Sequence, residues 1–139
     1  MSQDKPLYIV TGATGGIGKA ISAALAQQGK AILLACRNVE KAAALAKELS
    51  ATTKNDDINA LKLDLESFAG VREFVKKLKE LNRPVAALIN NAGTMERNSR
   101  ISADGFELTI QVNYLSTALL SLLVAPMVQP KGHILFTTS

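Results

Sequence analysis

The chain has 139 residues, enough for one domain with a sizeable core, and 47% of them are hydrophobic. Its 16 basic and 12 acidic residues leave a net charge of +4, scattered along the chain; with two Tyr, four Phe and no Trp there is no basic-aromatic interleaving, which argues against nucleic acid as a partner. One cysteine, Cys36, permits no intramolecular disulfide and suits a reducing, cytoplasmic setting, and the short stretch before Val10 leaves no room for a signal peptide or membrane anchor.

The first expected element is a strand over 7–11, whose unbroken apolar run suits burial on both faces. It runs into Thr11-Gly12-Ala13-Thr14-Gly15-Gly16-Ile17-Gly18, and a helix is expected over 16–28 with Ile17, Ile21, Ala24, Leu25 and Gln28 on one face. Strand, glycine turn and helix together make an anion site. Glycine tolerates the tight turn, lets the backbone approach a phosphate, and the new helix presents unpaired N–H groups. A nucleoside-triphosphate loop of the G-x-x-x-x-G-K-[ST] type is excluded, because Ala13 and Ala20 stand where a glycine and a magnesium-binding hydroxyl are required. The dinucleotide pattern G-x-G-x-x-G is also not met as written, since the glycines fall at Gly12, Gly16 and Gly18.

Further along, Gly29 is placed to cap the first helix, and a second strand is expected over 31–35. Asn38 is the candidate N-cap of a helix over 39–49 with Ala42, Leu45, Ala46 and Leu49 inward, followed by a polar loop over 50–57. A strand over 58–63 leads to Ser67, which caps a helix over 68–80 carrying Phe68, Val71, Val75 and Leu78 at helical spacing. Pro84 ends that connection, a strand follows over 85–89, and 94–101 reads as a polar loop. A long helix is expected over 103–128, a turn at Pro130-Lys131-Gly132, and a last strand over 133–138. The apolar stretch 115–128 is interrupted by Ser116, Thr117, Ser121 and Pro126, and is too short and too polar to span a bilayer. Strict alternation of strands and helices predicts a doubly wound, Rossmann-type parallel sheet between two helical layers (α/β/α), in strand order 3-2-1-4-5, as one domain over 1–139.

The second strand ends Ala35-Cys36-Arg37-Asn38. An NAD-binding unit wants Asp or Glu here for the ribose 2′-hydroxyl, and 31–39 contains none. Arg37 stands there instead, and an arginine can hold a 2′-phosphate bidentately, so NADP(H) is expected over NAD(H). Two further strand ends carry polar motifs, Asp64-Leu65 and Asn90-Asn91-Ala92-Gly93. Nothing has metal-site spacing; His133 is expected beside a turn in solvent and Cys36 as a small core residue.

The spacing T-G-x-x-x-G-x-G at 11–18, with N-N-A-G at 90–93, resembles the short-chain dehydrogenase/reductase family, and 7–139 looks like the N-terminal half of such a protein. The runs 35–38 and 102–107 resemble its retinol-dehydrogenase-like branch. The resemblance implies that Gly12, Thr14, Gly15, Gly16, Ile17, Gly18, Arg37, Asp64, Leu65, Asn91, Ala92 and Gly93 bind the cofactor, with Asp64 near the adenine and Asn91 to Gly93 as floor. Asn113 would be the active-site asparagine and Ser139 the serine that polarises the substrate oxygen. Gly15 departs from the pattern, since NADP-dependent relatives carry a basic residue there. Relatives pair through the long helix, so a homo-oligomer through 103–128 is expected, aided by its nearly all-round apolar surface.

The family's proton donor is a Tyr-x-x-x-Lys pair beyond the serine. Tyr8 and Tyr114 do not form it, because Gly12 and Ala118 stand in the lysine places. The chain is therefore expected to be truncated before that segment and inactive on its own. Two functions are compatible with the residues. One is an NADP(H)-dependent oxidoreductase transferring hydride between nicotinamide and a carbonyl or alcohol. The other is a non-catalytic dinucleotide-binding fragment or regulatory partner protein.

Overall fold

The computed structural model describes residues 5–138, so Ser139 lies outside the described residues. Five strands, β1 (Leu7–Thr11), β2 (Ala31–Cys36), β3 (Ile58–Lys62), β4 (Val85–Asn90) and β5 (Val128–Phe136), alternate with helices α1 (Gly16–Gln27), α2 (Val39–Thr53), α3 (Phe68–Glu80) and α4 (Leu108–Met127). The strands form one parallel sheet in the order β3-β2-β1-β4-β5, as expected. Side chains alternate along a strand, so each strand feeds two cores. Leu7, Ile9, Leu33, Ala35, Val85 and Leu88 pack with α3 and α4. Val10, Ile32, Leu34, Ala87 and Ile89 pack with α2 and the end of α1.

The caps read from the sequence are present. Asn38 Oδ1 accepts from the Lys41 amide at 3.1 Å, and Ser67 Oγ from the Gly70 amide at 3.0 Å. The inward residues of α2 are the four expected, but the helix runs on to Thr53, which shortens the expected loop. On α3 the fully buried Phe74 joins Val71, Val75 and Leu78, while Phe68 is half-buried.

The inward face of α1 differs from expectation. Its buried residues are Gly18, Ser22 and Ala26, while Ile17 is 69% exposed. The helix lies so close to the strands that only small residues fit beneath it, and the large apolar residues Ile21 and Leu25 are pushed to its flanks. A ranking by hydrophobicity alone picks the wrong stripe in that situation.

The long helix starts five residues later than expected. Gly105 has φ +87°, a left-handed conformation that ends helical winding, and the Ser102 amide donates to the Phe106 carbonyl across a tight turn. The cap of α4 is the Glu107 carboxylate, which accepts from the Thr109 amide at 2.6 Å. A π-helical stretch, Gln111–Ser116, follows, and Ala125–Met127 closes in a tighter 3₁₀ turn. Against the expectation for 115–128, the whole helix Leu108–Met127 is long and apolar enough to cross a membrane by length and composition. Here its Leu108, Val112, Leu120 and Val124 sit in the core over the sheet, and the helix packs against α3.

The last strand starts earlier than expected, at Val128. Its pairing jumps from Val85↔Val128 to Ala87↔His133, so the expected turn at Pro130-Lys131-Gly132 is present as a bulge inside β5. His133 therefore lies within the strand and is exposed.

Candidate functional site

In a parallel sheet the strands deliver their carboxyl ends to one edge, and ligands bind where the strand order reverses. That point lies between β1 and β4. The chain leaves β1 outward through β2 and β3, then returns to β4 on the other side of β1.

Two strand ends are tied together there. Thr11 Oγ1 accepts from the Asn91 amide at 3.0 Å and the Ala92 amide at 2.9 Å, and donates to the Ile89 carbonyl. Asn91 Nδ2 donates to the Gly12 carbonyl. Gly12 has φ +61°, and a Cβ on it would lie 2.8 Å from Ala92 Cα. The first turn and the Asn91-Ala92-Gly93 floor thus form one continuous surface, with Thr14, Gly15, Gly16 and Ile17 facing the same cleft. No side chain caps α1 at Gly15 and its first turn carries no acid. Its opening N–H groups are therefore left for an anion. A Cβ on Gly16 would meet nothing within 4 Å, so the approach to that helix end is open.

The cleft continues into a cavity of about 310 Å³ that runs toward β2 and β3. Leu63, Leu65, Ala35 and Val112 supply apolar walls, and Arg37, Asn38, Lys41 and Glu66 stand at its mouth. Arg37 and Glu66 form an ion pair. Asp64 does not line this cavity: its Oδ1 accepts from the Glu66 amide at 2.9 Å and so shapes the turn after β3. Its neighbour Leu65 is buried in the wall.

Asn113 lies on the π-helical stretch and is exposed rather than buried in the apolar run. Its Oδ1 accepts from the Thr94 amide and its Nδ2 donates to the Thr94 carbonyl, both at 2.8 Å. The side chain fastens the loop after β4 to α4, beside Gly93. Cys36 is buried and unpaired, as a small core residue should be, and it also touches the cavity. No group of three or more metal-ligating side chains gathers among the described residues.

Sequence reading alone missed Thr11, Lys41 and Glu66 as site residues. Lys41 could have been found: it lies in the first turn of the helix that Asn38 caps, four positions after Arg37. Thr11 opens the glycine motif, but nothing local announces its bonds to the Asn91 and Ala92 amides, and Glu66 carries no local signal, because the partners are 80 and 29 residues away.

The short chain dehydrogenase family matches residues 7–139. Retinol dehydrogenase 13 of Homo sapiens is 46% identical over 113 residues, covering 81% of this chain and 34% of that protein. Polyprenol dehydrogenase of Homo sapiens is 38% identical over 124 residues, covering 89% of this chain and 38% of that protein. The chain thus spans about a third of the length of these curated relatives. Among solved structures, an alcohol dehydrogenase from the archaeon Thermococcus sibiricus, complexed with 5-hydroxy-NADP, superposes with a TM-score of 0.82 at 31% identity, over 96% of this chain and 58% of that one.

Proposed function

The chain belongs to the short chain dehydrogenase family, and from that premise we propose that it forms the dinucleotide-binding part of an NADP(H)-dependent oxidoreductase acting on a carbonyl or alcohol. The observation that carries the cofactor choice is Arg37 just past the end of β2, with Lys41 beside the cavity on the first turn of α2. Arg37 and Lys41 flank the cavity mouth, and no acid stands on that strand end to take a ribose 2′-hydroxyl. Glu66, the acid nearby, comes from the turn after β3 and is already engaged by Arg37.

The residues fit a dinucleotide. The glycine turn leaves room for a pyrophosphate against the uncapped end of α1, where N–H groups and the helix dipole favour negative charge. Leu63, Leu65 and Ala35 make an apolar slot for an adenine. Thr11 holds the Asn91-Ala92-Gly93 floor in register with that turn, which keeps the cofactor's far end in one place. When bound, the nicotinamide supplies or accepts the hydride. The chain's own contribution on that side is positional. Asn113 locks the loop after β4, and Ser139, outside the described residues, would donate a hydrogen bond to the substrate oxygen. A Tyr-x-x-x-Lys pair in the whole protein would move the proton. A substrate resembling retinol or a polyprenol, as the names of the relatives suggest, is part of this proposal.

Self-association through α4 belongs to the same reading. Ile110, Tyr114 and Leu122 are 53%, 68% and 73% exposed and recur along one helical face, which a second copy of the chain would cover.

Titration of the full-length protein with NADPH and NADH tests the proposal, alongside NADPH-dependent reduction of a lipophilic aldehyde. NADPH should bind at least about tenfold more tightly, a difference of about 1.4 kcal/mol, and Arg37→Glu should reverse the order. Equal binding, or a preference untouched by Arg37→Glu, defeats the cofactor assignment. Binding without turnover would favour a non-catalytic dinucleotide-binding role.

A further inference from the structure

Arg37 is the group assigned above to a 2′-phosphate, yet it is held by a carboxylate. Its Nη1 pairs with Glu66 Oε2, and the same oxygen lies 3.9 Å from Arg100 Nη2. These three residues come from three separate segments: the end of β2, the turn after β3, and the loop between β4 and α4. Arg100 also reaches Glu96 Oε1 at 3.2 Å. Glu66 is the more enclosed partner, with 24% of its side chain exposed against 65% for Arg37 and 55% for Arg100. The turn that carries it is fixed by Asp64, whose Oδ1 holds the Glu66 amide.

We propose that Glu66 is a specificity-determining residue, which pairs with Arg37 and is handed to Arg100 when a 2′-phosphorylated dinucleotide takes Arg37. The inference rests on the reading of Arg37 as the 2′-phosphate ligand. Arg37 meets Glu66 through Nη1, one of the two nitrogens of its fork, so a phosphate taken bidentately by that fork competes with the carboxylate for Nη1. An anion left beside the phosphate would also repel it. Arg100 resolves both problems, since it already lies next to the same oxygen and can neutralise Glu66 after Arg37 leaves. A dinucleotide with a free 2′-hydroxyl does not need Arg37 and leaves the pair intact. Glu66 therefore sets how strongly the site discriminates between the two cofactor classes. Removing its charge should sharpen the preference, and removing Arg100 should blunt it.

The test uses two half-cofactors, adenosine 2′,5′-bisphosphate and adenosine 5′-monophosphate, titrated calorimetrically into the full-length protein. Neither needs the catalytic step. Glu66→Gln keeps the shape and hydrogen-bonding reach of the side chain. It should tighten the bisphosphate about three- to tenfold and change the monophosphate less than about twofold, as expected for releasing a part-exposed ion pair and an adjacent like charge. Arg100→Gln should weaken the bisphosphate alone, and that effect should vanish in the Glu66→Gln background. Thermal melting of each variant checks that it folds, and Glu66→Asp, too short to reach Arg37, serves as a second variant with the charge kept.

The inference is overturned if Glu66→Gln leaves the bisphosphate affinity unchanged or weakens it while Arg37→Gln still abolishes the preference. It is equally overturned if Glu66→Gln tightens both ligands alike. A wild-type protein that binds both equally, with no response to Arg37→Gln, would instead defeat the reading of Arg37 itself.

Discussion

Gly18 and Gly12 are in such close contact that a Cβ on Gly18 would lie 2.2 Å from the Gly12 carbonyl oxygen. The first turn of α1 is pressed against the end of β1, and the same Cβ would strike Asn91 Nδ2 at 2.8 Å. Gly18→Ala should therefore cost about 1–3 kcal/mol of stability through overpacking and weaken dinucleotide binding as the turn opens. Gly16→Ala is the contrast, because its Cβ meets nothing. It should leave stability unchanged or raised by up to about 1 kcal/mol, since alanine suits a helix better, while still hindering an anion at that helix end. Urea melts and NADPH titrations of the two variants measure both effects.

Thr11 serves two successive amides, those of Asn91 and Ala92. Thr11→Val keeps the shape and strands both donors. The expected loss is about 1–3 kcal/mol for each unsatisfied group, with a matching fall in cofactor affinity as the floor loosens. Thr11→Ser should restore most of both. A Thr11→Val protein as stable as the wild type would show that water replaces the hydroxyl.

At the opposite end of the sheet, Arg83 and Asp57 form a two-bonded ion pair at 3.1 and 2.9 Å, and Arg83 also donates to the Lys5 carbonyl. Both side chains are nearly fully buried. Asp57→Asn removes the charge that compensates Arg83 and should cost about 3–5 kcal/mol. The pair is remote from the cleft, so NADPH affinity of the folded fraction should not change. Denaturation by urea with and without saturating cofactor separates the two quantities.

The exposed stripe on α4 predicts an association that charge can break. Leu122→Glu or Tyr114→Glu should shift the protein to a lower mass in sedimentation velocity at micromolar concentration, with the monomer fold preserved, since both side chains are mostly exposed. A wild-type protein that is monomeric under the same conditions contradicts the proposed interface.

The sequence by itself determined what depends on near neighbours. The alternation of apolar runs and amphipathic stretches located all five strands and the three helices that precede the long one. Asn38 and Ser67 announced two helix starts, because a cap is a bond to an amide three residues away. The clustered glycines and the asparagine pair marked the ends of β1 and β4 as the candidate site, because both patterns are written in consecutive residues, and the structure brings the two ends together. The α4 boundary was misread where two local signals compete. Apolar spacing favours an early start, and the left-handed Gly105 overrides it.

Only the tertiary structure decided how distant segments share the site. The meeting of Thr11 with Asn91, of Glu66 with Arg37, and of Arg83 with Asp57 depends on strand order and register, which place residues 80, 29 and 26 positions apart within hydrogen-bond range. The inward face of α1 was decided in the same way. How closely a helix may approach a sheet is set by the smallest side chains between them, and Gly18, Ser22 and Ala26 define that distance only once the strand is beneath them.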